Sequence, residues 1–160
     1  MSDTAAASRR IVFVLNGPNL NLLGTREPQV YGQQTLADVQ ALCQQRAAQH
    51  GLQARCHQSN HEGALIDWIH EAGRLHQQGM LAGVVLNAGA YTHTSIALHD
   101  AIKGTGVPLI ELHISNVHAR EPFRHHSYIA SVAKAVLCGL GVAGYGLAID
   151  AIAQWGLPPQ

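Results

Sequence analysis

A chain of 160 residues with 47% hydrophobic and only 12% charged side chains is sized for one domain that buries its core without disulfides or metals. Ten basic and ten acidic residues cancel, so no basic field exists to hold nucleic acid, and no apolar run reaches membrane-spanning length. Charge this sparse also points to surface covered by other copies of the chain.

Residues 1–9 are expected to form a disordered tail, and residues 10–157 a single domain. The opening stretch lacks the apolar segment of a secretory signal. Cys43, Cys56 and Cys138 are an odd, scattered set with no Cys-x-x-Cys spacing, which fits core thiols in a reducing cytoplasm. Ile11-Val-Phe-Val-Leu15 has no polar alternation and reads as a buried parallel strand. It empties into Asn-Gly-Pro-Asn, a turn signal, and then into some fifteen residues without helical period. A loop of that length is usually functional or disordered rather than a mere connection, and the two readings here are a lid over a polar pocket and a plain surface loop.

Thr35 is placed to cap a helix carrying Leu36, Val39, Leu42, Cys43 and Ala47, with Gly51 ending it. Leu52 to His57 is a short, weak strand. A second amphipathic helix carries Leu65, Ile66, Ile69, Ala72 and Leu75 and stops at Gly79. Leu81 to Asn87 is a buried strand, followed by a helix capped by Thr94 or Ser95 and running through Ile102. Pro108 to Ile114 is the fourth strand, Val132 to Leu137 is strand or helix on periodicity alone, and a last helix spans Val142 to Gln154. Strand alternating with helix five times predicts an α/β fold with a doubly wound parallel sheet.

Open sheets of this kind bind ligands beyond the carboxyl ends of their strands. Three such ends are polar here. The first offers Asn16, Asn19, Arg26 and Tyr31, and the third Asn87, Thr92 and His93. The fourth offers Glu111, His113, Ser115, Asn116, His118, Arg120 and Arg124. A single histidine is more often a hydrogen-bonded loop residue than a catalyst. Three polar sets at one edge are harder to explain that way, because uncompensated polar groups cost stability. The groups also suit one kind of reaction. Arginine beside a phenol favours the phenolate, which serves as a general base. A histidine braced by a carboxylate supplies a proton, amides stabilise an oxyanion, and arginine grips a carboxylate. Together they describe proton abstraction next to a carbonyl, then loss of water, on a small polyhydroxylated acid.

Five motifs carry a resemblance: Leu15-Asn-Gly-Pro-Asn-Leu20, Arg26-Glu-Pro-x-x-Tyr-Gly32, Gln58-Ser-Asn-His-Glu-Gly63, Tyr91-Thr-His-Thr-Ser95 and Glu111-Leu-His-Ile-Ser-Asn-Val117. With Arg120 and Arg124, in this order and spacing, the chain after Arg10 resembles type II 3-dehydroquinate dehydratase. The resemblance implies a flavodoxin-like, three-layer five-stranded sheet, trimers assembled into a homododecamer, and no cofactor. It implies conversion of 3-dehydroquinate to 3-dehydroshikimate by anti elimination through an enolate, the third step of the shikimate pathway. By the same resemblance Tyr31 is the base, with Arg26 beside it, and His113 is the acid, oriented by Glu111. Asn19 holds the water that stabilises the enolate. Substrate contacts fall on Asn87, His93, Asp100, Ile114, Ser115 and Arg124, with Arg120 helping to keep Tyr31 ionised and Asp100 contributed across a subunit contact. Two departures stand out. Ala88 occupies a position where many members have proline, loosening the turn slightly, and Thr25 stands where some carry a basic residue.

Other patterns carry less. Gly139-Leu-Gly-Val-Ala-Gly144 matches the dinucleotide fingerprint, but no second strand and no acidic residue about twenty positions on follow it, so close helix packing is the better reading. Eleven histidines invite a metal, yet His57-x-x-x-His61 straddles a strand end and a loop, and His125 and His126 read as ordinary loop residues. Imine chemistry needs a buried lysine. Lys103 should be solvated and only Lys134 has an ambiguous, apolar setting. The rival to an enzyme is a flavodoxin-like module that binds a small acid without chemistry, and it predicts loss of Tyr31 or His113. A metal-dependent hydrolase is a third reading, which a chelator would expose.

Overall fold

The computed structural model describes residues 8–25, 29 and 32–155. Its sheet has five parallel strands: β1 (Ile11–Asn16), β2 (Gln53–Gln58), β3 (Leu81–Asn87), β4 (Leu109–His113) and β5 (Ala135–Cys138). They lie in the order β2-β1-β3-β4-β5, the flavodoxin-like arrangement. Among the described residues three helices cross between strands, α1 (Leu36–Gln49), α2 (Glu62–Gln77) and α3 (Ile96–Thr105), and α4 (Ala143–Gln154) follows β5.

Strand alternation sorts the core into two halves. Val12 and Val14 of β1, with Val85, Ile110 and Leu112, face Val39, Cys43 and Ala47 of α1 and Tyr145, Ile149 and Ile152 of α4. Ile11, Phe13 and Leu15, with Val84, Leu86 and Leu109, face Leu65 and Ile69 of α2 and Leu98 and Ile102 of α3. The three layers expected of the fold are therefore present.

Local signals place most boundaries. Thr35 Oγ1 accepts from the Asp38 N–H (3.3 Å) and Asp38 Oδ2 accepts from the Thr35 N–H (2.9 Å), a complete capping box for α1. Gly51 and Gly79 follow α1 and α2 at φ +69° and +72°, as the sequence predicts. Ser95, of the two candidates, caps α3 by accepting from the Leu98 N–H (2.9 Å). That helix runs one turn further than expected, to Thr105.

Two segments are sharpened. The short second strand is present one residue on, at Gln53–Gln58, and pairs along the whole of β1. It reads as weak because it is an edge strand with no fully buried residue. The ambiguous Val132–Leu137 segment splits into a short 3-10 turn (Ala130–Val132) and β5, whose register with β4 pairs Ile110 with Ala135 and His113 with Cys138.

Candidate active site

The ends of β1, β3 and β4 meet in one pocket, as the sequence suggested. Asn19, Asn87, His93, His113, Ser115 and Arg124 line it, together with Ile114 and Arg120. β1 and β3 approach so closely there that a Cβ on Gly17 would stand 2.4 Å from the Ala88 carbonyl oxygen. Only glycine fits, and its N–H donates to Asn87 O at 2.8 Å. Asn19 follows in the left-handed region, φ 68°, held by its N–H donating to Asn60 Oδ1 (3.0 Å). Gln58 donates to the same oxygen (3.2 Å) and Tyr91 Oη donates to Asn60 O (2.7 Å). The Gln58-Ser-Asn motif therefore ties the exits of β1, β2 and β3 together behind the pocket.

Beneath the pocket lies a residue that sequence reasoning missed. Tyr145 of α4 is fully buried. Its hydroxyl donates to Asn16 Oδ1 (2.5 Å) and accepts from Asn87 Nδ2 (3.0 Å). Burial pushes this phenol well above the ordinary tyrosine range, so it stays a neutral O–H. Asn87 Oδ1 also accepts from the Gly89 N–H (3.2 Å). The amide is thereby fixed, and one Nδ2 hydrogen remains for the pocket. Asn16 thus supports Asn87 and does not itself line the cavity.

The two pocket histidines lie with ring centroids 6.3 Å apart and differ in what braces them. His93 Nδ1 lies 2.7 Å from the His126 carbonyl oxygen, so that nitrogen carries the hydrogen and Nε2 is an acceptor. Burial is the largest cause lowering its pKa below the ordinary imidazole value, with the charges of His113 and Arg124 adding to it. His113 instead has a carboxylate beside it, Glu111 Oε2 at 3.1 Å from Nε2. The two groups touch without hydrogen-bond alignment, and Nε2 has no aligned partner among the described residues. Nδ1 is the nitrogen left for a ligand. Glu111 is 3% exposed and its other oxygen accepts from Ser127 Oγ.

The far wall is built for an anion. Arg120 Nη1 donates to Ser115 Oγ (3.3 Å). Arg124 Nε donates to the half-exposed Glu121 (2.7 Å), leaving the terminal nitrogens of its guanidinium for a carboxylate. The backbone N–H groups of Ile114 and Ser115 make no hydrogen bond among the described residues, while Ile114 O accepts from the Gly141 N–H (3.0 Å). Consecutive free amides beside two guanidiniums form an anion-binding wall.

Several expected residues lie elsewhere. Arg26 and Tyr31 fall outside the described residues. Asp100 is exposed on α3 and absent from the pocket lining, so a single chain does not bring it to the site. Thr92 is buried behind His93, and Asn116 caps a short turn by accepting from the His118 N–H (3.1 Å). His126, read as an ordinary loop residue, supplies the carbonyl that fixes His93. Lys134 is exposed, with Nζ 4.4 Å from the Trp155 ring centroid, which removes the setting an imine lysine needs. In the glycine motif, Gly139 and Gly141 turn the chain at φ +85° and +65°, and a Cβ on Gly144 would touch Leu112 at 3.4 Å. That is the packing role expected of it. Among the described residues no group of three or more His, Cys, Asp or Glu side chains is placed to hold a metal, and no helix is long and apolar enough to cross a membrane.

Comparison with known proteins bears directly on this geometry. The profile of the family described as dehydroquinase class II matches residues 10–153. A 3-dehydroquinate dehydratase from an Acidovorax strain is 75% identical over 146 residues, which is 91% of this chain and 99% of the relative. One from Variovorax paradoxus is 70% identical over 141 residues, 88% of this chain and 97% of the relative. The crystal structure of a type II dehydroquinase from Butyrivibrio crossotus matches at TM-score 0.85 and 41% identity, over 91% of this chain and 98% of that one. With sequence, sheet order and pocket pointing the same way, the chain belongs to the class II dehydroquinase family.

Proposed function

We propose that this protein converts 3-dehydroquinate to 3-dehydroshikimate and water, with Tyr31 as base and His113 as acid. Tyr31, ionised beside Arg26 and Arg120, takes the proton next to the ketone, and the electron pair moves onto the carbonyl oxygen as an enolate. Asn19 holds the water that stabilises that charge. Collapse of the enolate expels the hydroxyl on the far carbon while His113 delivers a proton to it, so water leaves and a conjugated enone remains. These transfers balance with the side chains alone, and the scheme uses no cofactor. Asn87, His93, Ser115 and Arg124 hold the substrate, the neutral His93 Nε2 accepting from a hydroxyl and Arg124 with the free amides at Ile114 and Ser115 gripping the carboxylate.

The observation that carries the reading is Glu111 Oε2 at 3.1 Å from His113 Nε2, on the side of a pocket that also holds Asn19 and Arg124. A buried carboxylate against one ring nitrogen is how a proton is kept ready on the other. The test is ultraviolet absorbance after adding 3-dehydroquinate, with chelator present and after borohydride treatment. The enone signal should survive both treatments. It should fall by roughly 10²–10⁴-fold in Tyr31→Phe and in His113→Asn. A folded protein that gives no signal would instead be the non-catalytic binding module.

For assembly we propose trimers that build a dodecamer in the cytoplasm, with Asp100 reaching a neighbour's pocket. Asp100 shares a face of α3 with Ile96, one turn earlier and 58% exposed, so an acidic and an apolar group stand together outside the pocket. Mixing Asp100→Asn subunits with His113→Asn subunits tests this, since shared sites would regain activity that neither parent has.

A further inference from the structure

We propose that Ser127 is a positioning residue for the acid half of the reaction, holding Glu111 in the one orientation that presents Oε2 to His113. A serine hydroxyl has one hydrogen and two lone pairs. The N–H groups of Ile129 and Ala130 both donate into Ser127 Oγ, each at 3.0 Å. With the lone pairs taken, the hydrogen has one direction left, and it goes to Glu111 Oε1. Ser127 cannot act as the acceptor in that contact. Glu111 Oε1 must therefore accept, and any proton that Glu111 shares lies on Oε2, the oxygen 3.1 Å from His113 Nε2.

The chain of donors runs from backbone to reacting atom. Two amide dipoles polarise the Ser127 hydroxyl, the hydroxyl stabilises negative charge on Glu111, and Glu111 compensates a positive ring on His113. A carboxylate only 3% exposed needs such a donor, because its burial is otherwise costly. Ser127 also lies one residue beyond His126, whose carbonyl fixes His93. One short segment thereby fixes both pocket histidines, His93 through a neutral acceptor and His113 through a charged one.

The inference rests on His113 acting as the acid of the dehydratase, and a double-mutant cycle on the full-length protein separates the two. Ser127→Ala should lower kcat about 10- to 100-fold, as expected for losing a hydrogen bond to a charged group, with KM within about twofold. Ser127→Thr, which keeps the hydroxyl, should restore most of it. In a Glu111→Gln background the alanine should cost little further, since the residue it acts through is already altered. If the alanine variant does not fold, Ser127→Cys, close in volume but a weak donor, should show the same kcat loss. Wild-type turnover with a folded alanine or cysteine variant at full kcat would overturn the proposal while leaving the dehydratase reading intact. So would an equal alanine cost in both backgrounds, the mark of a purely structural loop. Wild-type protein that leaves 3-dehydroquinate unchanged would overturn the dehydratase reading itself.

Discussion

Tyr145→Phe removes one oxygen and strands two amides. Asn16 is 1% exposed and loses the donor at 2.5 Å from its Oδ1, and Asn87 is 4% exposed and loses the acceptor 3.0 Å from its Nδ2. The phenyl ring still fills its place, so no cavity opens and the cost is electrostatic. A buried polar group left unsatisfied costs about 1–3 kcal/mol, which puts the pair at roughly 2–6 kcal/mol. For a domain of this size about 2–4 °C of Tm go with each kcal/mol, so a fall of about 4–24 °C is expected. Urea and thermal unfolding at one fixed subunit concentration would measure it, so that the proposed assembly contributes equally to both proteins. Activity adds a second readout. Asn87 keeps the Gly89 N–H at 3.2 Å but loses the contact that aims its amino group, and KM should rise about tenfold, the worth of one hydrogen bond. A loss of stability below about 1 kcal/mol with unchanged KM would refute the reasoning: the hydroxyl would then not be what fixes the two asparagines.

Gly17→Ala forces a Cβ to 2.4 Å from backbone at Ala88, so the exits of β1 and β3 must part; a stability loss of about 3 kcal/mol and a collapse of kcat/KM are expected from unfolding and steady-state assays. Ala88→Pro should stabilise by about 0.4–1 kcal/mol in urea unfolding, because Ala88 already has φ −73° and its N–H makes no backbone bond among the described residues. The sign for histidine follows from burial: His57 and His93 are both lowered, chiefly by desolvation, so the unfolded chain binds more protons than the folded one. Stability should therefore be intact above about pH 6.5 and decline as pH falls below it, and a His57→Phe, His93→Gln double variant should flatten that slope in denaturation series across pH 5–7. Lys134→Ala should keep full activity and lose at most about 1 kcal/mol with the Trp155 contact, whereas an inactive folded variant would revive imine chemistry.

The fold was legible because its signals are local. Unbroken apolar runs in β1 and β3, the Thr35 cap and the glycines after α1 and α2 each act within a few residues. β5 was not legible in the same way, since three partly buried residues and an exposed Val136 become a strand only by pairing with β4. The site divides similarly. Asn87, His93, His113 and the arginines sit at strand exits and announce themselves as polar residues after apolar runs. Tyr145 lies 58 residues beyond Asn87 and 129 beyond Asn16, inside a helix whose apolar neighbours make it look like plain core. Ser127 sits in an irregular segment, and its importance comes from bond counting that needs coordinates. A hint was present all the same: a tyrosine that packs fully buried must find partners for its hydroxyl, and the asparagines ending β1 and β3 were the nearest unexplained polar groups.

The two pocket histidines show why such bracing matters more than residue type. Two imidazolium rings with centroids 6.3 Å apart, beside two arginines, would repel each other and the guanidiniums alike. The pocket avoids this by giving the rings different partners. A backbone carbonyl holds a hydrogen on His93 Nδ1 but brings no full charge to offset a second one, and burial works against a positive ring. A carboxylate beside His113 does bring that charge, and the same carboxylate is anchored by a hydroxyl with no alternative direction. In the proposed reaction Glu111 gives His113 a countercharge, whereas His93, held only by a carbonyl, is left with an acceptor at Nε2.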